Sequence, residues 1–590
     1  MRHTVDPRQG RLFDPFEGMI PPLGRKRIHI GWQGIFRAAL LELMPARQLG
    51  KHFNPILGRP TKELYSVAGL LFVQEFQNWT AAETVEAYLF HTDIQFALNL
   101  EPGRDEMCER TYERYRALFL EDEAAGQVMQ DVTDRLIELL ELDIRKQRLD
   151  STHVFSNMAS FGRTRLMAVT IKRFLTQVKR HHPADFEALP IEVRKRYAPS
   201  QAQLLSKESK DADSRAKSRQ QVAEDLRDLI NRFADHAGLR DRPSYQAMVT
   251  VFGQQCEIVE DRVTVRSKTG GDCVQNPSDL EATYDGKKGQ GYQVQFSETC
   301  GDANDVQLIV SALPQTAVES DANALAPVLE DLQARDLLPE EMLADTSYGS
   351  DDNVQKAAQL NVEVVSPVSG PQPTETDAAA SANANANVGE TVAKLSIDDF
   401  ALDERTGQVE ACPTGRIPLH VEYDAATGTT TIHMAPEDCA ACPFREQCPI
   451  KPGTPTCKLS YTDKQRRLEG RRREQATDVF RQRYAKRSGL ESTNSGTKRR
   501  LGLGQLRVRG RRAVQHALYL KVAGWNLLRA AAAGKLRGRV AAALACIGAA
   551  LCFCLAMMVR AASFRPALAG QRPRLDFRLN RRVASFIRIA

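Results

Sequence analysis

Residues 340–368 read EEMLADTSYGSDDNVQKAAQLNVEVVSPV, and this stretch decides the fold class. EEMLA and VEVVSPV are short apolar runs typical of buried strands, and DDNVQKAAQL between them has the spacing of a helix. A strand, a helix and a second strand in this order predict a parallel sheet, because consecutive parallel strands need a crossover connection. We therefore predict an α/β protein.

Segments upstream of this stretch extend the predicted sheet. Residues 144–155 (IRKQRLDSTHVF) indicate a short strand with a polar end. Residues 288–300 (KGQGYQVQFSETC) form a Gly-rich turn that leads into a strand alternating at Tyr292, Val294 and Phe296, and residues 306–315 predict a buried strand. An amphipathic helix, DANALAPVLEDLQARDLL, precedes residue 340.

The first 135 residues predict a compact helical domain. Residues 61–77 place Leu64, Val67 and Leu71 at helical spacing, and Thr80 followed by Glu83 is a capping-box pattern that opens a second helix. The whole chain of 590 residues is too long for one hydrophobic core. Five segments are predicted: 1–135, helical; 136–365, first part of the α/β core with a helical insertion at about 164–245; 366–460, low-complexity linker and Cys-rich insertion; 461–535, completion of the core with basic helices; and 536–590, an apolar and basic tail.

Positive charge is concentrated in one segment. Residues 464–539 contain 22 Lys and Arg against 4 Asp and Glu, whereas the net charge of the whole chain is only +6. This many positive charges repel one another in the absence of a polyanion. The segment therefore predicts contact with DNA or RNA. A solvated helical face is the alternative.

The cysteines predict a metal site rather than disulfides. The N-terminus lacks the apolar core of a signal peptide, which predicts a reducing, cytoplasmic location. Two knuckle-like turns, at Cys412-Pro413 and Cys442-Pro443, are typical of structural zinc. We predict Cys412, Cys439, Cys442 and Cys448 as the zinc ligands, with Cys457 as a competitor and a group of free thiols as the alternative.

Three acidic residues are candidates for a catalytic site. Asp150 ends an apolar approach, and Asp345 follows a predicted strand, where ligands gather in open α/β sheets. Each has a plain alternative: Asp150 as solvated surface, and Asp345 as a turn or helix-capping residue. Glu491 belongs to a row with Tyr484, Arg487 and Lys498. On one continuous helix these four side chains share a face suited to a phosphate beside a metal ion, although Gly489 and Gly496 are poor helix formers.

These motifs together resemble one group of bacterial DDE-type insertion-sequence transposases. The spacing Y-x2-R-x3-E-x6-K from Tyr484 to Lys498 resembles that group's signature around the third carboxylate. RLDSTHVFSNM around Asp150 and LADTSYGSDDNV around Asp345 resemble its first and second acidic motifs, and KGQGYQVQFSETC resembles its second core strand. The cysteines resemble a zinc-ribbon subtype.

The resemblance implies a ribonuclease H-like core that holds two Mg²⁺ (or Mn²⁺) ions on Asp150, Asp345 and Glu491. It implies cleavage and strand transfer of double-stranded DNA, at element ends and at a target, by a homodimer associated with the nucleoid. Tyr484, Arg487 and Lys498 would contact phosphates near the cut. Independently of the family, a basic turn at 505–512 predicts that Arg507, Arg509, Arg511 and Arg512 follow phosphates without reading sequence.

Two further readings of the sequence stay open. A decayed copy of such an enzyme would bind DNA through its basic region without cutting it. The uncharged residues 540–559 are long enough to span a bilayer, but their alanine content favours a buried or partner-facing helix.

Overall fold

The structure is a computed structural model, which describes residues 1–8, 14–16, 18–201, 203–204, 211–370, 395–403, 407–534 and 538. The uncharged stretch at 540–559, the tail around it and most of the low-complexity linker lie outside these residues. Among the helices that the structure describes, none is both long enough and apolar enough to cross a membrane.

Helices dominate the first and the last parts of the described residues. The described α-helices are α1 (Pro22–Ile30), α2 (Trp32–Ile35), α3 (Ala46–Gly50), α4 (Leu64–Gln77), α5 (Ala81–Phe90), α6 (Thr92–Ala97), α7 (Glu109–Glu121), α8 (Ala125–Leu140), α9 (Arg163–His181), α10 (Pro183–Glu187), α11 (Ile191–Arg196), α12 (Ala212–Arg232), α13 (Pro243–Gln255), α14 (Leu325–Ala334), α15 (Asp351–Gln359), α16 (Pro436–Ala440), α17 (Asp463–Gln475), α18 (Asp478–Ala485), α19 (Gly489–Leu501) and α20 (Arg511–Ala532).

Strands occupy the middle of the chain. Those described are β1 (Lys146–Val154), β2 (Cys256–Val259), β3 (Arg262–Val265), β4 (Thr283–Asp285), β5 (Gly289–Thr299), β6 (Ile309–Thr316), β7 (Glu341–Ala344), β8 (Glu363–Val365), β9 (Ala401–Leu402), β10 (Val409–Ala411), β11 (His420–Asp424), β12 (Thr429–Met434) and β13 (Cys457–Thr462). The mixture of helices and strands confirms the α/β prediction.

The chain forms two compact units and crosses between them several times. Unit 1 contains Met1–Asp143, Ser151–Glu319 and Glu491–Ala590, and unit 2 contains Ile144–Asp150 and Ser320–Leu490. The division into five segments by function stays a prediction.

In unit 1 the predicted N-terminal helices are present. The predicted pair is α4 and α5, and the Thr80–Glu83 capping box is formed, with each side chain accepting a hydrogen bond from the other residue's backbone N–H. Helix α20, from near the other end of the chain, packs against α4 and α8. Gly524 is required there, because a Cβ at this position would overlap the side chain of Phe76.

Two buried polar side chains of α20 tie it to the rest of unit 1. Lys521 is 2% exposed, and its ammonium donates to the backbone oxygens of Glu75 and Leu501, both at 2.7 Å. Burial lowers the pKa of Lys521. Asn526 is fully buried and bonds to both the N–H and the C=O of Ile309, at 2.9 and 2.7 Å. The side-chain amide of Asn526 thus makes the two hydrogen bonds to Ile309, at the start of β6, that the backbone of a neighbouring strand would otherwise make.

A histidine on α20 makes the stability of unit 1 depend on pH. Burial, with smaller contributions from Arg116 and Arg512, lowers the pKa of His516 to about 4, and its ring packs edge-on against Phe119. As pH falls from about 6.5 to 4, the unfolded chain gains a proton at His516 that the folded chain does not bind. The free energy of unfolding should therefore drop by about 1.4 kcal/mol per pH unit in that window.

Urea unfolding at pH 7 and pH 5 measures this effect. We expect His516→Leu to lose less stability than the unsubstituted protein between the two pH values. Equal losses in the two proteins would show that His516 does not carry the dependence.

The predicted helical insertion has a core of its own within unit 1. Helices α9, α12 and α13 pack together around buried residues that include Phe174, Leu226 and Met248. Helix α12 buries one apolar face, which includes Val222, Leu226 and Leu229.

Strands β4, β5 and β6 of unit 1 are antiparallel. The alternating pattern at Tyr292, Val294 and Phe296 predicts a strand with one apolar face, and these three residues are buried. The polar residues between them are buried as well: Gln293 and Gln295 are at most 1% exposed, and both donate to Gln315 of β6. Alternation of residue type therefore does not mark a solvent-facing side here.

Unit 2 contains the parallel strands that residues 340–368 predict. β1 pairs in parallel with β7, and β7 pairs in parallel with β8. Helix α15 connects β7 to β8 as predicted, and it packs on β8.

A second, antiparallel sheet of unit 2 has the order β11-β12-β13. It follows the low-complexity linker and has its own small core, which includes Phe400, Ile432 and Tyr461. The partly buried Cys412 and Cys448 pack against this core.

Many cations of the basic segment have partners inside the protein. On α17, Arg467 forms a two-pronged ion pair with the buried Asp351, at 3.0 and 2.8 Å. Arg471 donates to the backbone oxygens of Gly349 and Ser366. Repulsion among these charges therefore does not by itself require an external polyanion. Arg467 and Arg471 hold α17 against the turns after β7 and β8.

Candidate active site

Asp150 and Asp345 each follow one residue of a pair on the neighbouring parallel strands β1 and β7 of unit 2. The register of β1 and β7 pairs Lys146 with Glu341 and ends with Leu149 opposite Ala344. The next residue in the chain is an aspartate in both cases: Asp150 lies within β1, and Asp345 directly follows β7. Adjacent strands are about 4.8 Å apart. Both aspartates are half-buried, next to the fully buried Leu149 and Ala344.

The backbone after β7 fixes the position of Asp345. The first carboxylate oxygen of Asp345 accepts a hydrogen bond from the N–H of Thr346 at 2.7 Å and caps a short 3₁₀ turn, Thr346–Tyr348. The hydroxyl of Ser366, which follows β8, donates to the carbonyl of Asp345 at 2.9 Å. The capping alternative from the sequence is thus realised, and it orients the carboxylate at the end of the strand.

Two arginines lie beside Asp150. The guanidinium of Arg487 is 3.4 Å from a carboxylate oxygen of Asp150. Arg148, two residues earlier on β1, donates to the carbonyl of Lys486 at 2.8 Å. Gly489 lies next to it, and a Cβ there would make the Arg148 guanidinium move. The turn that carries Arg487 is therefore held against β1 by Arg148.

Arg483 holds α18 in place. Its guanidinium lies 2.6 Å from the carboxylate of Glu363 on β8 and 3.3 Å from that of Glu341 on β7. The two carboxylates raise the pKa of Arg483. Arg483 and Arg148 could not be predicted as site residues from the sequence, because Glu341, Glu363 and Lys486, which they contact, lie more than 100 residues away along the chain.

The four signature residues do not lie on one continuous helix. Tyr484 is on α18, where its ring stacks on Phe480, and Arg487 is in a separate 3₁₀ turn, Lys486–Ser488. Glu491 is exposed in the first turn of α19, and Lys498 lies seven residues later on that helix. The 3₁₀ turn changes the angular spacing between Tyr484 and Glu491, so a face shared by all four residues stays a prediction, whereas Glu491 and Lys498 share a face of α19.

Gly496 lies within α19 without ending the helix, and its lack of a side chain allows Trp525 to pack closely against it. A Cβ at Gly496 would overlap the ring of Trp525 on α20. Three residues earlier, the hydroxyl of Thr493 donates to the fully buried carboxylate of Glu298 on β5 at 2.6 Å. These two contacts fix α19 within unit 1, and Glu491 with it.

Lys498 lies in a cationic part of unit 1. Burial and the nearby Lys288 lower the pKa of Lys498. The ammonium of Lys288 donates to the hydroxyl of Ser151, the residue after Asp150, at 3.0 Å.

Residues 411–531 match the family model of the transposase DDE domain.

This match supports a DDE transposase, and its span includes Tyr484, Arg487, Glu491 and Lys498 but neither Asp150 nor Asp345. No curated protein and no solved structure shows a significant match to the chain.

The basic turn within the transposase DDE match has a fixed backbone and exposed side chains. Gly510, with φ of +82°, donates its N–H to the buried Asp279 at 2.9 Å, and the N–H of Arg511 is 3.1 Å from Glu281. The guanidinium of Arg512 pairs with Glu123 at 2.8 Å. All four predicted phosphate contacts are exposed, namely Arg507, Arg509, Arg511 and Arg512.

The Cys-rich part of the transposase DDE match surrounds a cavity of about 840 Å³ in unit 2. The four predicted ligands and the competitor all line it: Cys412, Cys439, Cys442, Cys448 and Cys457. Burial and the neighbouring thiols, chiefly Cys457, raise the pKa of Cys439 to about 12. Among the described residues, no three of these sulfur atoms lie within 4.8 Å of one another. The donors suit zinc, but they do not form a closed tetrahedron in this arrangement.

Proposed function

We propose that the chain is a transposase that cuts DNA strands and joins the cut ends to a target, with a divalent-ion site formed by Asp150, Asp345 and Glu491. The observation that supports the proposal is the register of β1 and β7, in which Asp150 and Asp345 each follow one residue of the pair Leu149–Ala344. The match to a transposase DDE domain over the segment that contains Glu491 supports the third ligand.

The donor set suits Mg²⁺ or Mn²⁺, because hard divalent ions prefer oxygen ligands and keep several waters. Two such ions would stabilise the attacking and the leaving oxygen of an in-line displacement at phosphorus. Asp150 and Asp345 supply ligand oxygens from a rigid sheet, and the Thr346 amide keeps the Asp345 carboxylate oriented. The guanidinium of Arg487 places positive charge next to Asp150, where a phosphodiester would approach.

Strand transfer needs no covalent intermediate with the protein in this scheme. Water attacks the phosphodiester in the first step, and the 3′-hydroxyl that it releases attacks the target in the second. The oxygen nucleophile forms a new bond to phosphorus, and the leaving strand takes the electron pair of the broken bond. We propose Arg507, Arg509, Arg511 and Arg512 as contacts to phosphates further along the duplex, with the protein acting as a homodimer on paired ends.

The test is a nicking assay with the purified full-length chain. The substrate is DNA that carries the sequences flanking the gene, incubated with Mg²⁺, with Mn²⁺ or with a chelator. We expect strand cleavage with either ion and none with the chelator. DNA binding without cleavage under every metal condition would reject the enzyme and leave a DNA-binding protein.

We also propose a structural Zn²⁺ on the cysteines that line the cavity. Cys412→Ser and Cys442→Ser should each release the zinc and lower the free energy of unfolding of unit 2, because structural zinc contributes directly to folding. Zinc content by mass spectrometry and thermal melting measure the two effects.

The same measurements decide between Cys448 and Cys457. Of the two variants Cys448→Ser and Cys457→Ser, the one that keeps its zinc identifies the thiol that is not a ligand. Cys108→Ser is the matched control, because Cys108 is exposed and does not line the cavity. Absence of zinc from the unsubstituted protein, prepared without chelator, would contradict the proposal.

A further inference from the structure

Two histidines and an aspartate meet in the helical insertion of unit 1, outside the groups described above. One donor atom from each of His182, Asp185 and His236 lies within 4.8 Å of the other two. The Nε2 atom of His236 is 3.2 Å from a carboxylate oxygen of Asp185, and the Nδ1 atom of His182 is 3.8 Å from the same oxygen. The two imidazole rings are nearly perpendicular, with centroids 4.8 Å apart.

The three residues come from two separate parts of the insertion. His182 links the end of α9 to α10, and Asp185 lies in the first turn of α10. His236 lies in the turn between α12 and α13. Gly238 of that turn allows the approach, because its Cβ position is 2.9 Å from the His182 ring. All three ligand residues are half-buried, so the cluster is held by the fold and still open to solvent.

We propose that His182, Asp185 and His236 bind a divalent transition-metal ion such as Zn²⁺, Ni²⁺ or Co²⁺. Neutral imidazole nitrogens suit these ions, and a carboxylate completes a mixed nitrogen and oxygen set. Three protein ligands leave at least one position for water. Bound in this way, the ion cross-links the α9–α10 junction to the α12–α13 turn and stabilises the insertion.

Metal binding requires one rearrangement at His236. Its Nδ1 atom accepts a hydrogen bond from the N–H of Gly238 at 3.2 Å, which places the ring proton on Nε2. Coordination through Nε2 moves that proton to Nδ1 and breaks the bond to Gly238. The loss is small, because Gly238 is exposed and water can replace the lost partner.

Neighbouring cations favour metal ions that form strong bonds to imidazole. Arg180 and Arg242 both lie near His181, so two cations lie beside this segment. Arg242 also donates to the carbonyl of Gly238 at 2.9 Å. Weakly coordinating Mg²⁺ would gain little against that field, whereas ions that form strong bonds to imidazole can bind.

The experiment measures binding of Ni²⁺ and Co²⁺ to the full-length chain by calorimetry, after treatment with a chelator. The variants are His236→Asn and Asp185→Asn, with His181→Asn as the matched control from the same segment. We expect each of the two site variants to bind one equivalent less than the unsubstituted protein, and the control to bind the full number. Circular dichroism establishes that each variant is folded.

Bound Co²⁺ separates this site from the cysteines. Thiolate ligands give Co²⁺ an intense charge-transfer absorption, and the cluster of His182, Asp185 and His236 contains no thiolate. His236→Asn should therefore leave the intensity of that absorption band unchanged. Equal binding by His236→Asn and the unsubstituted protein would overturn the proposal and leave a hydrogen-bonded His–Asp–His group. The Mg²⁺-dependent nicking activity is expected to survive in His236→Asn, so the two proposals can fail separately.

Discussion

Asp345→Asn is expected to reduce DNA strand cleavage by about a thousandfold or more while leaving DNA affinity within about twofold. The amide keeps the size of the side chain and can still accept the hydrogen bond from Thr346, so the strand end keeps its shape. What it loses is the negative charge that holds a divalent ion. Loss of about 4 kcal/mol of transition-state stabilisation corresponds to this reduction in rate. Asp150→Asn and Glu491→Gln should behave alike.

Single-turnover cleavage of DNA from the flanks of the gene, together with gel-shift binding, measures the two effects separately. Asp352→Asn is the control, because Asp352 is an exposed aspartate of α15 with 77% of its side chain accessible. Cleavage at the unsubstituted rate by Asp150→Asn or Asp345→Asn would remove that residue from the site. If only Glu491→Gln cleaved normally, the register pair would stand and the third ligand would have to be sought elsewhere.

Asn526→Leu should lower the free energy of unfolding of unit 1 by about 3 kcal/mol. Leucine is close to asparagine in size, but it cannot bond to the N–H and C=O of Ile309, which is fully buried. Two buried backbone groups would lose their partners, and each such loss costs about 1–3 kcal/mol. The hydrogen bond from Asn526 to the hydroxyl of Thr133 on α8 is lost as well.

Urea unfolding followed by circular dichroism measures this change. Asn231→Leu is the matched control, because Asn231 is exposed near the end of α12 and its replacement should change the free energy of unfolding by at most about 0.5 kcal/mol. A similarly small change for Asn526→Leu would show that the α20 amide is not needed at the start of β6.

Two of the three predicted carboxylates lie where the chain passes from one unit to the other. Asp150 is the last residue of one segment of unit 2, and Glu491 is the first residue of the final segment of unit 1. Arg487, four residues before Glu491, contacts Asp150 directly. Substitution of Arg148 or Arg483, which hold the turn and helix around Arg487, therefore affects the candidate site although neither residue belongs to the signature.

The elements themselves could be predicted well, because their signals are local. The Thr80–Glu83 capping box, the helical spacing of Leu64, Val67 and Leu71, and the strand–helix–strand order of residues 340–368 all depend on residues a few positions apart. Errors arose where local signals compete. Gly489 gives no indication that a 3₁₀ turn precedes it, and Gly496 looks like a helix breaker although it is a packing contact for Trp525.

By itself the sequence predicted the parallel strands around residues 340–368 and a segment rich in positive charge, and it named the candidate acidic and thiol ligands. Only the tertiary structure decided that Asp150 and Asp345 directly follow the paired residues Leu149 and Ala344, that the arginines of α17 are bound to the protein's own carboxylates and carbonyls, and that His182 meets His236. The physical reason is range: hydrophobic periodicity and capping act within one or two turns of chain. Register, burial of charge and ligand clusters depend on residues that only folding brings within a few ångströms.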